Sequence, residues 1–335
     1  MIRARWVLAS LPLLMACSNA PSPLPATALP SPTTGLLPAY PAGESTHFLT
    51  VGAVSRRFLV YRPAPINPPS ALVLVLHGGG GTGLGVANPG QHPLAVFRTV
   101  ADAEGFLLVY PEGSLDNLAA PGWNDCRSDA PSGSSGDDLD FLHALIARLK
   151  SETSLPSSRT FLAGTSNGAV MAFAYAYHFG STVKAIAVSS GNLPALPKSG
   201  PCTTGPAAPI PIMLTHGTQD PAMPVNGGCV VNFGGLCNRG TVVSQQQTLD
   251  SWLALNGLTG VTPTQSTIEV SVTDQGSAER IFYAGPAPLL YFKLNGAGHP
   301  VPSKTVLTSY APTSGFQNRD IEFAQEAWTF FASLF

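Results

Sequence analysis

The 335-residue sequence carries 17 Lys and Arg against 19 Asp and Glu, a net charge of −2, and only 11% of its residues are charged. That balance excludes the basic stripe a nucleic-acid partner needs. No repeat divides the chain, and the roughly 290 residues after its N-terminal region fall within the range of one α/β domain.

Arg3 and Arg5 precede an apolar stretch, Trp6 to Ala16, too short to span a bilayer. Residues 1–16 therefore read as a signal peptide. The stretch ends in Leu14-Met15-Ala16-Cys17, which resembles the lipobox of bacterial lipoproteins. That likeness implies cleavage before Cys17, a lipid on its thiol and attachment to a membrane through that anchor only. The alternative is ordinary cleavage after Ser18-Asn19-Ala20, which releases the chain. Residues 17–43 are rich in Pro, Ala, Ser and Thr without apolar periodicity, so they are expected to form a tether. Residues 44–335 are expected to form one catalytic domain. Four further cysteines, Cys126, Cys202, Cys229 and Cys237, suggest two disulfides in an exported chain. Of three connectivities, Cys229–Cys237 as a local staple with Cys126–Cys202 is preferred. No metal is expected, because the four lack paired C-x-x-C spacing.

His47 to Val51 and Arg56 to Pro63 predict an antiparallel pair around Gly52. Ala71 to Leu76 is a continuous apolar run, as in a strand buried on both faces of a parallel sheet. It empties into His77-Gly78-Gly79-Gly80-Gly81. A helix is predicted over 93–103, a strand over 106–110 and a helix over 135–150, with Asp137 and Asp138 placed at its start. Thr160 to Ala163 reads as a strand and Ala169 to Tyr177 as a buried helix. Strands follow at 183–188 and 210–214, a helix at 245–255, and a strand pair at 268–272 and 280–283. The last strand, 289–294, runs into Asn295-Gly-Ala-Gly-His299, and a helix over 320–334 closes the chain. Strands alternating with helices predict an α/β fold with a doubly wound, mostly parallel sheet and helices on both faces. Its site is expected at the carboxyl ends of the strands, where the Gly-rich turns fall.

Gly164-Thr165-Ser166-Asn167-Gly168 sits between a strand and a helix, the context of a nucleophile elbow. A serine hydroxyl is a weak nucleophile and needs an imidazole to take its proton. Of seven histidines, His299 alone combines a Gly-rich loop, the end of a late strand and a position after Ser166. The imidazole needs a carboxylate to fix its tautomer. Among Asp220, Asp250, Glu269, Asp274 and Glu279, Asp220 alone directly follows a buried strand. Two N–H donors must meet the oxyanion. Asn167 supplies one, and the Gly tract the other, from Gly79 or from Gly80. Trp123 and Asn124 are placed at the mouth as substrate-binding residues, Trp123 either stacking on a ring or simply packing. No cofactor is expected.

Leu76 to Gly81, Val109-Tyr-Pro-Glu-Gly113, Gly122-Trp123-Asn124, Asp137-Asp138, the Ser166 elbow, His216-Gly-Thr-x-Asp220 and Gly298-His299 occur in order. Together they resemble the poly(3-hydroxybutyrate) depolymerase and feruloyl esterase group, similar to carbohydrate esterase family 1 of the α/β-hydrolases. The resemblance spans about residues 45–335 and implies Ser166, Asp220 and His299 as a triad. It implies a small or oligomeric ester as substrate, such as feruloylated or acetylated saccharides or hydroxyalkanoate oligomers. Two departures bear on the substrate pocket: Pro300-Val301-Pro302 after the histidine, and an apparent insertion from Cys229 to Cys237. The chain ends directly after its last helix, so soluble esters are expected to be preferred over crystalline polyester. An acyltransferase of the same fold, or a surface binding protein without turnover, are the alternatives.

Overall fold

A computed structural model describes residues 40–335, except residues 65, 67, 116–119, 132–136, 207, 233 and 272–275. The predicted signal peptide, the Cys17 lipid site and most of the tether lie outside the described residues. The folded body starts before the expected boundary at residue 44. Tyr40, assigned to the tether on composition, is fully buried, with its ring edge-on to His47 at 4.9 Å and its hydroxyl on Glu152. One aromatic side chain outweighs the polar average of its neighbours because it buries so much apolar surface.

The strands of the first half are β1 (Gly43–Val51), β2 (Val54–Arg62), β3 (Leu72–Leu76), β4 (Leu107–Pro111), β5 (Ser114–Leu115), β6 (Pro121–Gly122) and β7 (Thr160–Thr165). Those of the second are β8 (Ala185–Ser189), β9 (Ile212–Gly217), β10 (Gly228–Val231), β11 (Cys237–Val242), β12 (Thr264–Ile268), β13 (Ser277–Tyr283) and β14 (Leu289–Asn295). Ten of them form one sheet in the order β1-β2-β4-β3-β7-β8-β9-β14-β13-β12. Its centre, from β4 to β14, is parallel, and an antiparallel pair closes each edge. This is the doubly wound, mostly parallel sheet the sequence predicts.

The helices are α1 (Gly83–Val86), α2 (Phe97–Glu104), α3 (Asp138–Thr153), α4 (Asn167–Phe179), α5 (Pro201–Thr204), α6 (Gln245–Leu255) and α7 (Phe323–Ala332). Alternate residues of each strand feed opposite faces, as the pleat requires. Leu72, Leu74 and Leu76 join the core under α3, α4 and α6, whereas Val73 and Val75 join the one under α2 and α7. Asp137 sets the start of α3, its carboxylate accepting the N–H groups of Leu139 and Asp140.

Two boundaries differ from expectation for one reason. The Asp320 carboxylate accepts the N–H groups of Val270 and Ser271 at 2.7 and 2.9 Å, taking the bonds a strand would have used there. The strand therefore lies earlier, at Thr264–Ile268, and the last helix starts later, at Phe323. Asp320 itself is buried in the loop that leads into α7.

Both expected disulfides are present, Cys126–Cys202 and Cys229–Cys237. Loop closure over separations of 76 and 8 residues corresponds to about 4.5 and 2.5 kcal/mol. Replacing Cys126 and Cys202 by serine is expected to lower the urea-unfolding free energy by about 4 kcal/mol, and replacing Cys229 and Cys237 by about 2. The reverse order of losses would contradict this.

Candidate active site

In the sheet register, Leu76 stands opposite Gly164, Gly164 opposite Val188, and Gly217 opposite Leu294. The turns after β3, β7, β9 and β14 therefore emerge at one edge. Ser166 follows β7 with φ 54° and ψ −122°, a conformation that costs a non-glycine residue about 1–3 kcal/mol. Its neighbours hold it there. A Cβ on Gly164 would lie 2.4 Å from the Gly168 carbonyl oxygen, and one on Gly168 would lie 2.4 Å from that of His77. Both glycines are thus required for the turn to seat against β3.

Asp220 leaves the turn after β9. Its Oδ1 accepts the N–H groups of Ala222 and Met223, each at 2.8 Å, while Oδ2 lies 2.7 Å from His299 Nδ1. With both oxygens engaged, the carboxylate can rotate little. Burial pushes its pKa up. The facing His299 ring and its hydrogen bond, with His216 and the Met223 N–H, outweigh burial and hold the group below the usual carboxylate range. His216 is buried beneath the acid, with Nε2 donating to the Met223 carbonyl at 2.9 Å.

The His299 loop packs backbone to backbone on the acid turn. A Cβ on Gly217 would lie 2.2 Å from the Gly298 oxygen, and one on Gly298 would lie 2.1 Å from that of Ser314. The Ser190 hydroxyl donates to the His299 carbonyl at 2.9 Å. Ser166 and His299 line the same two cavities, of about 290 and 500 Å³.

The other histidines have different partners. His77 donates from Nδ1 to the Gly78 carbonyl at 2.8 Å and accepts the Gly113 N–H on Nε2 at 2.9 Å, so it is neutral. Burial lowers its pKa to about 4. His92 accepts the Leu94 N–H, His47 stacks on Phe58 with Tyr40 edge-on to it, and His143 stacks on Phe179 at 4.0 Å. His178 lies 3.3 Å from Cys202 Sγ. It and the Cys126–Cys202 pair are grouped within 4.8 Å, but the bonded sulfurs leave no thiolate to hold a metal.

Three residue readings need revision. The Gly80 N–H donates to the Pro121 carbonyl at 2.6 Å and is not available to an oxyanion. Among the described residues, the N–H groups of Gly79 and Asn167 carry no acceptor, and both residues line the smaller cavity. Asn124 does not line that cavity. Its N–H donates to Asp138 at 2.6 Å and its side-chain Oδ1 accepts from Lys198 Nζ. Trp123 is 3% exposed, donates to the His77 carbonyl at 2.8 Å and packs against the His77 ring, so of its two readings packing prevails, although it borders the cavity.

Sequence reasoning missed what fixes Asn167. Its Oδ1 accepts the Trp123 N–H at 2.7 Å, and its Nδ2 donates to the Trp123 carbonyl and to Asp125 at 3.0 and 2.8 Å. Asp125 in turn holds Arg127 through Nε and Nη2. The side chain after the serine thus clasps the 121–127 loop as a strand would. A Trp-x-Asp-x-Arg spacing was the sole trace of this in the sequence.

Residues 63–232 match the phospholipase/carboxylesterase family. The chain belongs to that family, and its fold is the α/β-hydrolase fold. The putative esterase NocK of Nocardia uniformis subsp. tsuyamanensis is 29% identical over 240 residues, covering 67% of this chain and 66% of the relative. The acetylxylan esterase of Coprinopsis cinerea is 27% identical over 181 residues, covering 50% and 46%. Feruloyl esterase C of Emericella nidulans is 27% identical over 175, covering 52% and 58%. The chain thus spans two thirds or less of each of these relatives. Among solved structures, the acetyl xylan esterase from Aspergillus awamori superposes with a TM-score of 0.54 at 16% identity, over 77% of this chain and 95% of that one.

The buried His77 carries a stability cost in acid. Its folded pKa lies below the unfolded value, so the unfolded chain binds the extra proton between pH 6.5 and about 4. Stability therefore falls as pH drops through that window, by about 3 kcal/mol from His77 alone. Urea titrations at pH 7 and 4 should show a smaller acid loss in His77→Gln than in the parent; equal losses would contradict this.

Proposed function

We propose that the protein is a serine ester hydrolase in which Ser166 is the nucleophile, His299 the general base and Asp220 the carboxylate that orients it. The observation that carries this reading is the 2.7 Å contact between His299 Nδ1 and Asp220 Oδ2 beside a strained Ser166 on a shared cavity. A proton on Nδ1 leaves Nε2 as the basic nitrogen. His299 Nε2 takes the Ser166 hydroxyl proton as Oγ attacks the ester carbonyl, and the Gly79 and Asn167 N–H groups receive the oxyanion. The intermediate collapses, the imidazolium protonates the departing alkoxide, and an acyl-enzyme remains. Water, deprotonated by His299, attacks the acyl carbon, and collapse returns the carboxylic acid and the free serine.

For substrate we favour acetyl or feruloyl esters of saccharides. The names of the acetylxylan and feruloyl esterase relatives support this class, with hydroxyalkanoate oligomers as the neighbouring one. Ser166→Ala is expected to reduce p-nitrophenyl acetate and methyl ferulate turnover by about 10⁴-fold or more, and Asp220→Asn by about 10⁴-fold with the fold intact. Turnover by Ser166→Ala equal to the parent would refute the assignment.

We also propose export and a lipid on Cys17. The two disulfides suit an oxidising compartment. Among the described residues no helix is long and apolar enough to cross a membrane, and the lipobox-like Leu14 to Cys17 supplies the attachment. In a bacterial host, an alkyne-tagged fatty acid should label the full chain and not Cys17→Ser. Equal labelling of both would remove the anchor.

A further inference from the structure

The two disulfides each brace a segment that lines one cavity, and the chemistry above uses neither. The smaller cavity, about 290 Å³, opens beside Ser166 and His299. One wall is the loop from Pro121 to Pro131, anchored by Cys126–Cys202. A second wall is the β10–β11 hairpin, stapled across its strands by Cys229–Cys237. Side chains clamp the walls together. Arg127 Nη1 donates to the Arg239 carbonyl at 2.5 Å, and the Thr241 hydroxyl donates to Asp129 at 2.7 Å. The hairpin is also tied to the acid turn, because the Val231 N–H donates to the Ala222 carbonyl at 2.9 Å.

The lining divides by chemistry. Met223, Val230 and Trp123 are apolar and buried, whereas Asn232 and Arg239 add polar groups along the hairpin. A volume at the lower end of ligand pockets, with an apolar body and a few polar groups, suits one ring and its substituents. Preorganised walls reduce the ordering cost of binding such a rigid group.

We propose that the β10–β11 hairpin is the specificity wall of this enzyme. With the 121–131 loop it forms a slot for one ring-shaped, oxygen-bearing moiety of the ester, an aryl acyl group or a sugar alcohol, and Cys229–Cys237 sets the width of that slot. The proposal rests on the ester-hydrolase reading and adds the subsite that selects among esters.

The test compares wild type, Cys229→Ser/Cys237→Ser and Val231→Trp on three esters. Methyl butyrate has no ring, methyl ferulate carries one on the acyl side, and acetylated xylo-oligosaccharide carries rings on the alcohol side. A fluorophosphonate probe counts sites with reactive Ser166. Per labelled site, kcat/KM for one ring-bearing ester relative to methyl butyrate is expected to fall at least tenfold in both variants, mainly through KM. The ester that responds tells which half occupies the slot. Ratios within twofold of wild type for both ring-bearing esters would overturn the proposal, as would equal losses on all three. A wild type that neither labels nor turns over any ester overturns the ester-hydrolase reading and this proposal with it. Normal wild-type turnover with unmoved ratios overturns this proposal alone.

Discussion

Main chains approach one another at the carboxyl edge of the sheet more closely than any side chain allows, and the site depends on that constraint. Gly168 lies against the His77 carbonyl, Gly164 against Gly168, Gly217 against Gly298, and Gly298 against Ser314. Each contact would be broken by a single methyl group. Together they bring the elbow onto β3 and the histidine loop onto the acid turn, so chain segments far apart in sequence share a few ångströms. The strain at Ser166 persists because these contacts leave its turn no room to relax. The Asp220–His299 bond follows from the same packing. It is short because two turns touch through glycine, not because either side chain reaches far.

Much of this was legible in the sequence, since the signals were local. Apolar runs of five or six residues ending in glycine mark buried strands and the turns that leave them, and the order serine, aspartate, histidine follows from which turn each residue ends. What escaped depends on partners distant in the chain. Gly80 and Gly79 are indistinguishable until Pro121 is seen to accept the N–H of one. Asn124 and Asp125 are adjacent polar residues in a loop, and only the fold shows that Asp125 faces Asn167 while Asn124 faces Lys198. Asp320 reads as the first residue of the closing amphipathic helix. Its carboxylate serves Val270 and Ser271 instead.

Charge is scarce in this chain, and part of it is buried. Arg56 pairs with Asp138 at 2.6 Å, and Arg127 with Asp125 at 2.8 Å, each partner almost inaccessible to solvent. Such pairs contribute little net stability compared with apolar packing, but losing one partner strands the other charge. They fix geometry. Asp138 also accepts bonds from Ser114 and the Asn124 N–H, and Asp125 from Asn167, so loops with little regular structure acquire defined positions around the nucleophile.

The bond from the Val231 N–H to the Ala222 carbonyl has a consequence for how such a protein diversifies. Ala222 also donates its own N–H to Asp220, so the turn end of β10 and the acid share one short stretch of backbone. Side chains beside Val231 can vary while that main-chain bond is kept, so substrate choice can drift without moving the acid. Leu236 sits beside that bond, because Val231 pairs with Cys237 and the Asn232 N–H donates to the Leu236 carbonyl, yet its side chain is exposed and open to exchange. New preferences can accumulate at the tip while the catalytic alignment is inherited intact.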